Sequence, residues 1–467
     1  MRDMDKRDFD QYVSPYSWRY ANSNMRHIWS ENNKRRIWRK IWASLAQVES
    51  EYGLVSPEQV AELQAHIDDV DISKSLEVEA QIDHDLMAEI QVFADQCPKS
   101  RGIIHLGATS VDIKDNATAL QILQSLGCLI DDVTKVLKQL SLKIEQYTNL
   151  PIIAFTHLQP AEPSTLGYRL SQYTQDILAD WEILSHIRDD YRGKGFKGAV
   201  GTGASYGELI GVKNLDRFEQ RLSQILNLPF YPITTQTYPR KQEYSLLSAL
   251  AGLGASINKF AFDLRILQSP QFGELSEFFG EHQIGSSAMP FKRNPIKAEK
   301  LNSLARLLAQ YPRVAWDNAA HSLLERTLDD SANRRSIIPE AFLITTEILN
   351  TFYDIISKLE VNQEAINRNL KSYWPFAATE RLLQVISKAG ADRHKMLKLL
   401  RNHALKAWSI VEAGQPNPLI EMLCGDDNVT EYISAKEIKK IMEAEGYLGY
   451  AAEKAREFAK EVNAYLQ

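Results

Sequence analysis

Cysteine is scarce in this chain. Three thiols, Cys97, Cys128 and Cys424, serve 467 residues. They are odd in number, far apart and without metal-ligand spacing, so neither a disulfide framework nor a zinc site is expected, and all three read as reduced thiols. Long apolar runs are missing as well. No uninterrupted stretch approaches the ~18 residues of a membrane helix, so nothing is expected to span a bilayer. The start, Met-Arg-Asp-Met-Asp-Lys-Arg-Asp, is charged with no apolar stretch behind it. That speaks against a secretory leader and makes the cytoplasm the expected location. An excess of positive charge is also lacking. With 54 Lys and Arg against 60 Asp and Glu, the net charge is −6, which argues against a nucleic-acid backbone as partner.

What is present reads as an ordinary globular composition, 44% apolar and 24% charged. The length exceeds one compact core and points to two or three domains. Apolar residues recur three and four apart, the spacing that lines one face of a helix. Leu123, Leu126, Ile130, Val133, Leu137, Leu140 and Ile144 form one such stripe. Others start at Leu166, Leu247 and Ile344, and a further helix is expected after Pro295 with Leu301, Leu304 and Leu308 on its face. The expected fold is therefore all-α, with a central long-helix bundle over residues 111–359. An N-terminal helical domain covers 1–110, and a helical cap covers 360–467 with breaks at Gly390, Gly414 to Pro418 and Gly425. Helices this long leave apolar flanks that one subunit cannot cover, so self-association is expected.

Two glycine-bearing stretches stand out. Gly193-Lys194-Gly195-Phe196-Lys197-Gly198 matches G-x-G-x-x-G literally. It follows a helical segment with no βαβ unit around it, so dinucleotide binding is rejected, and an irregular connection close to a ligand is expected instead. The second is Gly285–Pro295, Gly-Ser-Ser-Ala-Met-Pro-Phe-Lys-Arg-Asn-Pro. Pro290 and Pro295 interrupt regular structure, and hydroxyls, cations and an amide are gathered in one loop suited to gripping a carboxylate.

This loop resembles the signature of the fumarase/aspartase superfamily, and its Ala-Met-Pro-aromatic-Lys-Arg-Asn-Pro form is similar to that of the adenylosuccinate lyase family. Ile104–Ser110 and Glu325–Arg335 match two further motifs in the expected order, and the resemblance runs from Arg19-Tyr20 to Gly446-Tyr447. It implies elimination of fumarate from adenylosuccinate and from succinylaminoimidazole carboxamide ribotide, without metal or other cofactor. It also implies a homotetramer with shared active sites, acting on a small anionic nucleotide. By residue, it implies Ser286 as the base and Lys292 with Asn294 as holders of the carboxylate that gathers charge. His157, placed before a proline-bounded helix start, is the general acid for the purine nitrogen, and His84 binds substrate or orients His157. Arg19, Tyr20, Asp85, Thr109, Ser110, Thr156, Gln236, Lys300, Arg326, Ser331 and Arg335 are implied as substrate-binding. Two positions depart from the pattern. Asp83 stands where an arginine usually precedes the histidine, and Lys300 keeps a charge where an arginine fork is usual. The alternatives are another fumarate-releasing lyase, such as argininosuccinate lyase, and a catalytically silent structural protein on the same fold. Arg326, Ser331 and Arg335 disfavour the first, and intact Ser286, His157 and Lys292 the second.

A serine hydroxyl is a feeble base near neutral pH, so nearby cations or backbone amides must favour its anion.

Overall fold

The computed structural model describes residues 10–443 and 447–466; the charged start Met1–Asp8 and Gly446 lie outside these residues. The all-α expectation holds. Among the described residues the only regular strands form two small antiparallel pairs, Pro151–Thr156 with Gln159–Thr165 and Leu275–Ser276 with Glu360–Val361. The four stripes lie on helices Ser110–Gln146, Leu166–Asp190, Lys241–Leu267 and Asp329–Ser357. The helix after Pro295 spans Ile296–Leu308, and its three leucines are buried. The first of the four helices begins at Ser110 and the last ends at Ser357.

Contacts divide the chain into two compact units. The first comprises Met1–Val133, Asp180–Ala255 and Leu304–Asn350, and the second Thr134–Ala179, Ser256–Ser303 and Thr351–Gln467.

In the first unit, helix Glu31–Glu51 begins where Ser30 accepts the Asn33 N–H, an N-cap that satisfies an otherwise orphan donor. It buries Ile37, Trp38, Ile41, Trp42, Leu45 and Val48. Trp42 stacks near Phe93, with ring centroids 6.1 Å apart. Two arginines of this helix are buried with it, and both face Glu89: Arg39 at 2.7 Å and Arg35 at 3.3 Å. Helix Ile72–Ile82 stops at Asp83, whose φ of 51° is left-handed, and His84 caps the next helix, Asp85–Gln96. Aspartate tolerates that conformation better than most residues, which gives Asp83 a local reason at this junction.

In the second unit, Phe260 bridges Tyr173 and Phe352 at 5.3 and 5.1 Å, tying three long helices together. Arg169 joins Glu274 at 2.8 Å and the Ile153 carbonyl at 2.7 Å, anchoring the Pro151 strand. The cap helices Gln363–Lys388, Arg393–Glu412 and Leu419–Cys424 are separated at the expected breaks, with Gly390 and Gly414 at positive φ.

Helix Lys241–Leu267 is long and apolar enough to cross a membrane by length and composition alone. Its row Leu246, Leu250, Leu253, Ile257, Ala261 and Leu264 is buried in the fold, as in a core helix.

Candidate active site

The glycine-rich segment acts on the start of the Ser110 helix. Asn116 exchanges two hydrogen bonds with the Gly195 backbone, at 3.0 and 3.1 Å. Lys194, wholly buried, pairs with the equally buried Asp112 and donates to the Gly198 carbonyl at 2.9 Å. Asp112 in turn accepts the Thr109 N–H at 2.9 Å, capping the turn that presents Thr109 and Ser110. Gly201, at φ 85°, lies so close to the Thr234 carbonyl that a Cβ would sit 2.0 Å from its oxygen, so only glycine fits. The literal G-x-G-x-x-G is thus an irregular connection stitched to a helix N-terminus. Nearby, the Trp42 indole N–H donates to His105 Nδ1 at 3.1 Å, and burial pushes the His105 imidazole below its ordinary value despite Asp112.

Six of the expected residues line one cleft of about 230 Å³: His84, Thr109, Ser110, Gln236, Arg326 and Ser331. They come from four separate stretches of chain. His84 uses Nδ1 to accept the Met87 N–H at 3.2 Å, leaving Nε2 for other work. The Gln236 backbone N–H is held by the Glu325 carbonyl at 3.1 Å, which fixes one motif against another. An adjoining cleft of about 170 Å³ is lined by Asp85, Arg335 and, again, Ser331. Asp85 pairs with Lys114 and, at 3.1 Å, with Arg335. Burial pushes the Asp85 carboxyl up, but the two cations and a backbone N–H outweigh it and hold the group below the usual carboxylate range.

Beneath the first cleft lies a buried ionic network. Arg240 reaches Asp115 at 2.9 Å and Asp330 at 2.7 Å. Arg334 grips Glu243 through Nε and Nη2, and Arg326 holds Asp330 at 2.9 Å. Burial raises the Asp330 carboxyl, yet the guanidiniums of Arg240, Arg334 and Arg326 prevail and keep it ionised. Lys114, Asp115 and Arg240 all line the cleft and were absent from the residues expected from sequence. Asp115 and Arg240 carry no motif of their own, and their meaning arises only from the pairing.

The second unit carries Thr156, His157, Ser286, Lys292, Asn294 and Lys300, while Arg19 and Tyr20 belong to the first. In the signature loop, Ser286 Oγ accepts the N–H groups of Met289 at 3.1 Å and Ala288 at 3.3 Å. Asn294 donates from Nδ2 to the Gly285 carbonyl at 2.8 Å, closing the loop on itself. One of its two amide protons is thus spent on loop shape, and one is left for a ligand. Gly285 is needed because a Cβ there would stand 2.2 Å from the Lys292 carbonyl oxygen. Lys292 itself is exposed. Lys300 lies one turn into helix Ile296–Leu308, whose first N–H groups are capped by the buried Glu277.

His157 corrects an expectation. It does not precede a helix start but occupies, with Leu158, the two-residue tip of the hairpin closed by the Thr156–Gln159 pair. Both tip residues have positive φ, 54° and 60°, the dihedrals of a type I′ turn. Such turns favour Asn-Gly, and His-Leu is a costly substitute, so strain is concentrated on an exposed histidine. Pro160 and Pro163 fall on the return strand of a two-stranded sheet, where a missing N–H is tolerated. Thr156 is exposed beside it. Arg19 and Tyr20 line neither cleft of the first unit; Tyr20 packs near Tyr16, at 5.7 Å, and its carbonyl accepts from Arg26 at 2.8 Å.

The chain matches the family described as Lyase over residues 7–308, and that described as Adenylosuccinate lyase C-terminus over residues 375–458. It is 36% identical to the adenylosuccinate lyase of Saccharomyces cerevisiae, covering 98% of this chain and 96% of that one. Likeness to the Archaeoglobus fulgidus adenylosuccinate lyase is 30%, over 97% and 100% of the two chains. Among solved structures, the 3-carboxy-cis,cis-muconate lactonizing enzyme of Pseudomonas putida superposes with a TM-score of 0.84 at 22% identity, covering 96% of this chain and 98% of that one. A fumarate lyase from Mesorhizobium sp. BNC1 gives 0.83 at 20%, over 96% and 99%. The solved structures speak for the fold alone, and the relatives, alike from end to end, narrow it further: this chain belongs to the adenylosuccinate lyase family.

Proposed function

We propose that the chain cleaves adenylosuccinate to AMP and fumarate, and cleaves succinylaminoimidazole carboxamide ribotide in the same way, as a step of purine nucleotide synthesis. The observation that carries this reading is the end-to-end likeness to relatives bearing that activity's name. The cleft gathering six residues from distant segments supports it.

In this reading Ser286 removes the proton from the carbon beside a succinyl carboxylate, the electron pair forms the new double bond, and the carbon–nitrogen bond breaks. His157 returns a proton to the departing nitrogen. The two backbone N–H groups on Ser286 Oγ favour its anionic form, which answers in part how a serine can act as base. Lys292 and the free amide proton of Asn294 hold the carboxylate that accumulates charge. Thr109 and Ser110 hydrogen-bond a succinyl carboxylate, Gln236 binds substrate, and Arg19, Tyr20, Arg326, Ser331 and Arg335 grip the nucleotide phosphate and the succinyl end. Asp85, Thr156 and Lys300 complete the binding set, and His84 binds substrate or orients His157. The active assembly is a cytoplasmic homotetramer whose sites draw residues from more than one subunit. The test is to incubate the purified protein with adenylosuccinate and follow fumarate and AMP. Release of both is expected; turnover of argininosuccinate with none of adenylosuccinate would refute the reading.

A further inference from the structure

The two clefts of the first unit share a wall made of Lys114, Ser331 and Arg334. Arg334 is committed elsewhere, with Nε and Nη2 on Glu243 and Nη2 also on the Tyr238 hydroxyl. Lys114 is placed differently. It stands in the first turns of the Ser110 helix and is 30% exposed, and its carboxylate partner, Asp85, is shared with Arg335. The Trp38 ring lies 5.9 Å from its ammonium, a second and weaker hold.

Charge counting separates the two cations further. The buried network sets Arg240, Arg326 and Arg334 against Asp115, Glu243 and Asp330, three charges of each sign. Taken whole the network is neutral, with Arg326, 21% exposed, at its solvent edge. At the wall, Lys114 and Arg335 face the single carboxylate of Asp85, which leaves one positive charge over. An ammonium on a flexible four-carbon stem can change partners without moving its helix, as a fork locked by two bonds cannot.

We propose that Lys114 is a substrate-binding residue that takes an anionic oxygen of the ligand, carboxylate or phosphate, in exchange for Asp85. This rests on the function proposed above, since it needs a polyanionic ligand in these clefts. The test measures binding of AMP and of fumarate separately by calorimetry, to the wild type and to Lys114→Gln and Lys114→Arg, with KM and kcat for adenylosuccinate alongside. Lys114→Gln is expected to lose about tenfold or more in affinity for one product, with KM rising by a similar factor, while Lys114→Arg keeps most of the affinity. Loss for AMP identifies the phosphate, and loss for fumarate a carboxylate. Lys114→Met replaces the Gln variant if melting curves show that the latter does not fold. Unchanged affinity for both products would overturn the inference while leaving turnover, and the proposed function, intact. Weakened binding by the variant in a protein that releases no fumarate would do the reverse, and a wild type that binds neither product overturns both.

Discussion

Arg240 donates from Nε to Asp330 at 2.7 Å across ninety positions of sequence, and both side chains are only 3% exposed. A buried pair of this kind is worth little beyond its desolvation cost, but removing one member strands the other. Here two carboxylates lose their nearer partner at once: Asp115, left with Arg334 at 3.7 Å, and Asp330, left with Arg326 at 2.9 Å.

Arg240→Met is therefore expected to destabilise the protein by about 3–5 kcal/mol. Denaturant unfolding followed by circular dichroism measures it. A loss below about 1 kcal/mol, the value of an exposed pair, would show that the network is not load-sharing in this way.

Glu49 offers a different case. Its side chain is buried, and neither carboxyl oxygen has a hydrogen-bond partner among the described residues. Burial pushes the carboxyl up to about 8. The folded protein then keeps a proton that the unfolded chain sheds above the ordinary value of 4.5. Between about 4.5 and about 8 the native state binds more protons, so stability falls as pH rises, by up to about 1.4 kcal/mol per unit. Glu49→Gln keeps the shape and removes the titration. Thermal melts should show the variant gaining on the wild type as pH rises through that window, and parallel behaviour at every pH would contradict the assignment.

The proposed base and the shared site are tested together. Ser286→Ala should abolish elimination with substrate affinity largely kept, because the hydroxyl acts in proton removal and contributes little to ground-state grip. Near-wild-type kcat would exclude Ser286 as the base. Mixing inactive His157→Ala and Ser286→Ala proteins under conditions of subunit exchange should then restore activity, if each site draws the two residues from different chains. No recovery despite verified exchange would refute that arrangement for this pair.

Much of the fold could be read along the chain, because a helix is a local object. The stripes through Leu126 to Ile144 and Leu247 to Leu264 report a 3.6-residue period that needs no distant partner, and helices stand where they occur. The motif residues were legible for a similar reason: Ser286, Lys292 and Asn294 share one loop, and Thr109 and Ser110 one turn. The hairpin that carries His157 was not legible. Its turn lacks the glycine or asparagine that would announce positive φ, and its dihedrals are imposed by strand pairing and by Phe155 packing on Phe272 at 4.8 Å. Nor could sequence show that Lys194 would be buried on Asp112, eighty-two positions away, or that Arg240 would join Asp115 to Asp330. Charges written singly along a chain look like solvated surface. Only folding brings opposite charges together in a place dry enough for each to need the other.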